Sequence, residues 1–223
     1  MIKFLNCEID LSKKVFQPRI ETEFWVGKAI DEIKNSKLKI KNLEILDLFA
    51  GTGCIGIAVL KNIKKAQVDF TDISKEAIEQ IKINLKLNKI SSERYGIYKL
   101  NLFEKLKNKK YDVIFANPPY VALDRISEVQ KEVLEKDPKK SLFAGRNGMF
   151  WIEKFLKEVK NYLKKDGIFY LEFDPFQKEK IKEILEKDYN PPSALPPFGR
   201  APDFKFTFRK DQFKKFRWLK AMY

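Results

Sequence analysis

The chain has 223 residues, 44% hydrophobic and 34% charged, a balance that fits one soluble globular domain and excludes a disordered chain. It contains no histidine, which removes Ser-His-Asp catalysis, Cys-His catalysis and histidine metal sites together. Forty-five Lys and Arg against 31 Asp and Glu leave a net charge of +14. That charge either favours anionic partners such as RNA, the ribosome, DNA or an acidic protein, or reflects lysines on solvated helix faces.

No apolar run approaches the roughly 20 residues that span a bilayer. The start, "MIKFLNCEID", lacks a signal peptide's apolar core. Cys7 and Cys54 show no metal-ligand or CxxC spacing. A cytoplasmic, reduced protein with no metal and no membrane partner is expected, and a monomer.

Residues 2–16 fit a small hairpin. In "PRIETEFWVGKAIDEIK", Thr22 is expected to cap a helix whose apolar side is Val26, Ala29, Ile30 and Ile33. "LEILDLF" (43–49) reads as a buried strand, "CIGIAVLKNIKK" (54–65) as a helix and "AQVDFTD" (66–72) as a strand. "SKEAIEQIKINLKLN" (74–88) reads as a helix with Ser74 as N-cap. "GIYKL" (96–100) and "YDVIFA" (111–116) are further strands. "MFWIEKFLKEVKNYLKK" (149–165) carries a helical apolar stripe through Leu163. "GIFYLEF" (167–173) is a strand and "QKEKIKEILEK" (177–187) a helix. Such alternation predicts a parallel sheet covered on both faces. "NPPSALPPFGRAP" (190–202) holds half of the ten prolines and reads as a stiff loop. Phe204, Phe206 and Phe208 alternate with polar residues, which suits an antiparallel hairpin with one buried face. The interleaved Lys and Arg also resemble a nucleic-acid surface. The expected division is a short lead-in over 1–20 and one catalytic domain over 21–223.

"DLFAGTGCIG" (47–56) joins the first parallel strand to its helix. Gly51 and Gly53 permit a tight turn and a close backbone approach to a ligand. Asp72 ends the next strand 21 residues later, where an acid accepts hydrogen bonds from ribose hydroxyls. "GTGCIG" formally matches the dinucleotide fingerprint, which alone suggests NAD. "NPPY" (117–120) argues otherwise. Asn117 offers a carbonyl acceptor, and the paired prolines hold the Pro118 carbonyl in place. Two such acceptors grip an NH2 group through both protons and aim its lone pair without a histidine base. Tyr120 can pack flat on a planar amide or base. That arrangement suits methyl transfer to a planar nitrogen, driven by orientation and electrostatics.

"LDLFAGTGCIG", "DIS" and "FANPPY" resemble class I S-adenosylmethionine-dependent methyltransferases, with a Rossmann-like, mostly parallel seven-stranded sheet. "PRIETE" (18–23), "NLFEKL" (101–106), "SLFAGRNGMFWIEKFL" and "GIFYLEF" resemble more narrowly the HemK/PrmC family, which methylates glutamine N5 in peptide chain release factors. The resemblance covers residues 16–186. Residues 1–16 stand where bacterial members carry a helical domain. It implies S-adenosylmethionine as cofactor, with Phe49, Ala50, Gly51, Thr52 and Gly53 around its methionine part, Asp72 at the ribose and Leu102 at the adenine. Asn117 lies between cofactor and substrate, and Asn117, Pro118, Pro119 and Tyr120 form the glutamine clamp. Arg19 to Glu23 shape the pocket rim. Phe49 and Ala50 depart from the family's usual Gly-Thr.

The release factor's Gly-Gly-Gln loop is the first expected substrate, with ribosome or RNA proximity suggested by the charge. The alternatives are an exocyclic amine of adenine or guanine in RNA or DNA, and a non-catalytic S-adenosylmethionine-binding, ribosome-associated protein.

Overall fold

The computed structural model describes residues 1–36, 42–106, 108–122, 124, 144–145, 147–189 and 204–222. The proline-rich stretch 190–202 and most of 123–143 lie outside them.

Among the described residues, seven strands form one sheet. β3 (Leu43–Leu48), β4 (Ala66–Asp72), β5 (Tyr95–Lys99), β6 (Tyr111–Ala116) and β7 (Leu163–Glu172) are parallel, and β9 (Phe216–Met222) and β8 (Lys205–Lys210) complete it antiparallel. The order is β5-β4-β3-β6-β7-β9-β8. It reverses between β3 and β6, which opens a crevice at their carboxyl ends. Strand alternation splits the core. Ile45, Val68, Val113, Phe115 and Tyr170 face one side, under α1 (Ile20–Asn35), α2 (Cys54–Asn62) and α3 (Lys75–Leu87). Leu46, Leu48, Ile114, Phe169 and Leu171 face the other, under α4 (Phe150–Glu158) and α5 (Lys178–Tyr189). The expected doubly covered sheet with its C-terminal hairpin is therefore present. A two-stranded hairpin, β1 (Ile2–Phe4) and β2 (Cys7–Ile9), packs beside α2 and α3. Among the described residues no helix is long and apolar enough to cross a membrane.

Ser74 caps α3 as expected, its hydroxyl accepting from the Ala77 N–H at 3.2 Å. Three expectations need correction. Thr22 is not a cap: α1 starts at Ile20 with Arg19 before it, and Thr22 is buried two residues inside. The stripe read as one helix over 149–165 breaks, because α4 ends at Glu158, a 3-10 turn covers Val159–Tyr162 and Leu163 opens β7. Apolar residues at helical spacing there continue into a buried strand, which periodicity alone does not separate. Likewise α2 stops at Asn62, before the expected 65, because the chain must turn at Ile63 to enter β4.

Candidate active site

At the reversal point the carboxyl ends of β3, β4 and β6 surround a cavity of about 950 Å³. Phe49, Ala50, Gly51, Thr52, Asp72 and Leu102 line it, as do Asn117, Pro118, Pro119 and Tyr120. The structure thus gathers in one space residues up to 71 positions apart in sequence. Gly53 is the exception among the expected cofactor residues. It stands behind the wall as the residue before α2, with φ +77°, and a Cβ there would meet Ile81 at 3.1 Å.

The loop after β3 is built from backbone contacts. The Ala50 N–H donates to the Thr71 carbonyl at 3.0 Å, and the Gly53 N–H to the Ala50 carbonyl at 2.7 Å. Gly51 adopts φ +53°, and open space lies where a side chain would project. Phe49 also takes a left-handed φ of +63°, a conformation costing roughly 1–2 kcal/mol for a non-glycine residue. Its ring packs edge-on against Trp151 with centroids 6.1 Å apart, closing the cavity on that side. Gly56 has a different purpose: a Cβ there would lie 2.3 Å from the Phe70 ring, so this glycine lets α2 pack on β4. The third glycine of the apparent dinucleotide fingerprint is therefore a packing residue.

Asp72 sits at the end of β4. Its Oδ2 accepts the Gly51 N–H at 2.9 Å and its Oδ1 the Ser74 N–H at 2.8 Å. Burial pushes its carboxyl above the usual range, and these bonds pull it back. The backbone N–H groups of Gly51, Ser74 and Ile73 leave the carboxylate acceptor capacity for a ligand hydroxyl. The room above Gly51, the cavity volume and this acceptor pair fit S-adenosylmethionine.

The NPPY segment leaves β6 directly. Tyr120 donates its hydroxyl to Glu172 Oε1 at 2.9 Å. Burial and that carboxylate push the Tyr120 hydroxyl well above the ordinary tyrosine range, so it stays protonated. Its backbone carbonyl accepts from Gln177 Nε2 at 2.9 Å. Glu172 is buried and also accepts from Thr22 Oγ1 at 2.8 Å and Trp25 Nε1 at 2.7 Å. Burial raises the Glu172 carboxyl, while the bonds from Trp25, Thr22 and Tyr120 and the Arg217 charge lower it. Asn117 Nδ2 faces Thr22 Oγ1 at 3.5 Å. Of the PRIETE segment, Pro18, Arg19 and Thr22 reach the cavity, whereas Glu23 turns away to accept the Leu5 N–H at 2.5 Å. Glu172, Trp25 and Gln177 had no role in the sequence reading. The signal available for Glu172 was a charged residue closing the apolar strand "GIFYLE".

The sequence profile of the methyltransferase small domain matches residues 31–152. The chain belongs to that family. Among relatives of this chain, the bifunctional methyltransferase of Rickettsia typhi is 34% identical over 203 residues, covering 84% of this chain and 39% of the relative. The release factor glutamine methyltransferase of Thermodesulfovibrio yellowstonii is 32% identical over 181 residues, covering 81% and 63%. That of Aquifex aeolicus is 33% identical over 177 residues, covering 79% and 61%. The chain thus spans 39% to 63% of these relatives' lengths. The resemblance to HemK/PrmC drawn from PRIETE and FANPPY agrees with them. Two solved structures share the fold: a Pyrococcus furiosus methyltransferase (TM-score 0.61, 14% identity, 98% of this chain, 89% of that one) and the N-terminal domain of human METTL16 (TM-score 0.62, 16% identity, 97% and 75%).

Proposed function

We propose that this methyltransferase uses S-adenosylmethionine to methylate the side-chain nitrogen of a glutamine in a peptide chain release factor, at its Gly-Gly-Gln loop. The observation that carries the reading is the shared cavity: the Gly51 turn, Asp72 and the NPPY segment line one space. PRIETE joins them there through Arg19 and Thr22. The names of the relatives from Thermodesulfovibrio yellowstonii and Aquifex aeolicus support the substrate.

The chain's own residues would divide the work. Gly51 and Asp72 hold the cofactor, which supplies an electrophilic methyl when bound. Asn117 Oδ1 and the Pro118 carbonyl would accept hydrogen bonds from both N–H groups of the substrate NH2, and the Tyr120 ring would lie along the amide plane. Orientation and electrostatic complementarity then lower the barrier. The methyl–sulfur bond would break as the new N–C bond forms, leaving S-adenosylhomocysteine, and one amide proton would leave to solvent.

A second reading, methylation of an exocyclic base amine in RNA or DNA, draws on the net charge of +14 and on "DLFAGTG". One experiment separates the two. Label from S-adenosylmethionine is followed with purified release factor, ribosomal RNA and DNA offered side by side, and labelled protein is mapped by peptide mass spectrometry. Label on the Gly-Gly-Gln glutamine is expected; label on nucleic acid alone would overturn the proposal.

A further inference from the structure

Gripping an NH2 group requires Asn117 to present its oxygen, not its own NH2, to the cavity. An asparagine side chain is nearly symmetric in shape, so something must select the orientation. The polarity of the hydrogen bonds behind Asn117 supplies the selection.

Trp25 Nε1 can only donate, and it donates to Glu172 Oε2 at 2.7 Å. With Trp25 and Thr22 both on Oε2, that oxygen is favoured as the acceptor, and any proton the carboxyl carries is better placed on Oε1. Thr22 shares Oε2 at 2.8 Å, so its single hydroxyl proton is committed there. Thr22 Oγ1 is left with lone pairs only. The Asn117 group opposite it at 3.5 Å must then be the NH2, which turns Oδ1 toward the cavity. Thr22, Trp25 and Glu172 are all buried, so water does not substitute for these partners cheaply.

We propose that Glu172 is a positioning residue that acts through Thr22 to lock the Asn117 amide with its oxygen facing the substrate nitrogen. The inference rests on the reading of Asn117 as an NH2 acceptor and adds what orients it. It also joins the PRIETE helix to the NPPY segment: α1 contributes the middle hydroxyl and β7 the terminal carboxylate.

Two measurements test it. The first needs no substrate. In nitrogen-edited NMR spectra of the full chain, the Asn117 side-chain NH2 signal shifts in Thr22→Val and stays near its native position in Thr22→Ser. The second is turnover on purified release factor. Thr22→Val, which keeps the shape and removes the hydroxyl, loses about 10- to 100-fold in kcat, with the KM for S-adenosylmethionine within about twofold of native. Thr22→Ser recovers most of that loss. Native Asn117 signals in Thr22→Val, or turnover equal to native, overturn the inference. If Thr22→Val proves too unstable, Thr22→Ala serves in the same spectra. If the native protein leaves release factor unlabelled while the Asn117 signal responds as described, the substrate reading fails and the positioning inference stands.

Discussion

A Cβ placed on Gly148 would lie 2.2 Å from the carbonyl oxygen of Tyr120. Gly148 also holds φ +71°, and its own carbonyl accepts from Gln177 Nε2 at 3.0 Å, the same amide that binds the Tyr120 carbonyl. Backbone segments 28 residues apart are thus pressed together behind the NPPY segment. Gly148→Ala should push that segment out of place. The expected result is a loss of about 10- to 100-fold in kcat with S-adenosylhomocysteine affinity within about twofold of native. Steady-state kinetics beside calorimetry check it.

Asn117 lies at the cavity and is only half-buried, so its removal should spare the fold. Asn117→Ala should lower turnover by about 10²- to 10³-fold, as loss of one fixed polar contact to the reacting group does. Its thermal midpoint should stay within roughly 3 °C of native. Methyl transfer at native rates would remove the catalytic assignment.

Asp72 has two duties, holding the Gly51 and Ser74 N–H groups and offering oxygens to the cavity. Asp72→Asn keeps one oxygen for the loop and loses the negative charge. We expect affinity for S-adenosylmethionine to fall about tenfold or more, since hydrogen bonds to a charged acceptor are the stronger ones. Isothermal calorimetry reads it; unchanged affinity would take Asp72 out of the cofactor site.

Asp47 lies beneath the same loop, fully buried. Its Oδ2 accepts the Gly56 N–H at 2.8 Å, and its Oδ1 has no hydrogen-bond partner among the described residues. Burial pushes its carboxyl up to about 8. In the unfolded chain an aspartate titrates near ~4, so between those values the folded state binds more protons than the unfolded one. Stability therefore falls as pH rises through this window and levels off above about 8. Asp47→Asn lacks that proton and should lack that slope. Urea midpoints at roughly pH 5 and pH 8 should diverge between the two proteins, with the native one losing more.

Gly56 offers a stability test away from the chemistry. Gly56→Ala places a methyl against the Phe70 ring between α2 and β4. A loss of about 1–3 kcal/mol is expected from denaturant unfolding, as for overpacked cores.

Much of this fold is legible in the sequence. The runs "LEILDLF" and "YDVIF" are largely apolar and became almost continuously buried strands, as a parallel sheet covered on both faces requires, while in "AQVDFTD" Ala66, Val68 and Phe70 alternate inward with polar residues. Ser74 announced α3 by its capping chemistry, which is local. Boundaries such as Glu158 and Thr22 were not legible. Where a helix yields to a strand, or whether a threonine caps or buries itself, depends on partners distant in sequence.

The sequence by itself determined the order of strands and helices, the glycine turn, the acid after it and the NPPY segment, because each is a local pattern with a local physical cause. Only the tertiary structure decided that Gly53 stands behind the cavity wall and that Gly56 serves packing. It alone brought Glu172 under Thr22, Trp25 and Tyr120, across as many as 150 residues of chain. The reason is that a buried hydrogen-bond network is specified by which groups meet when the sheet closes, and pairing at that distance leaves no periodic trace in the sequence.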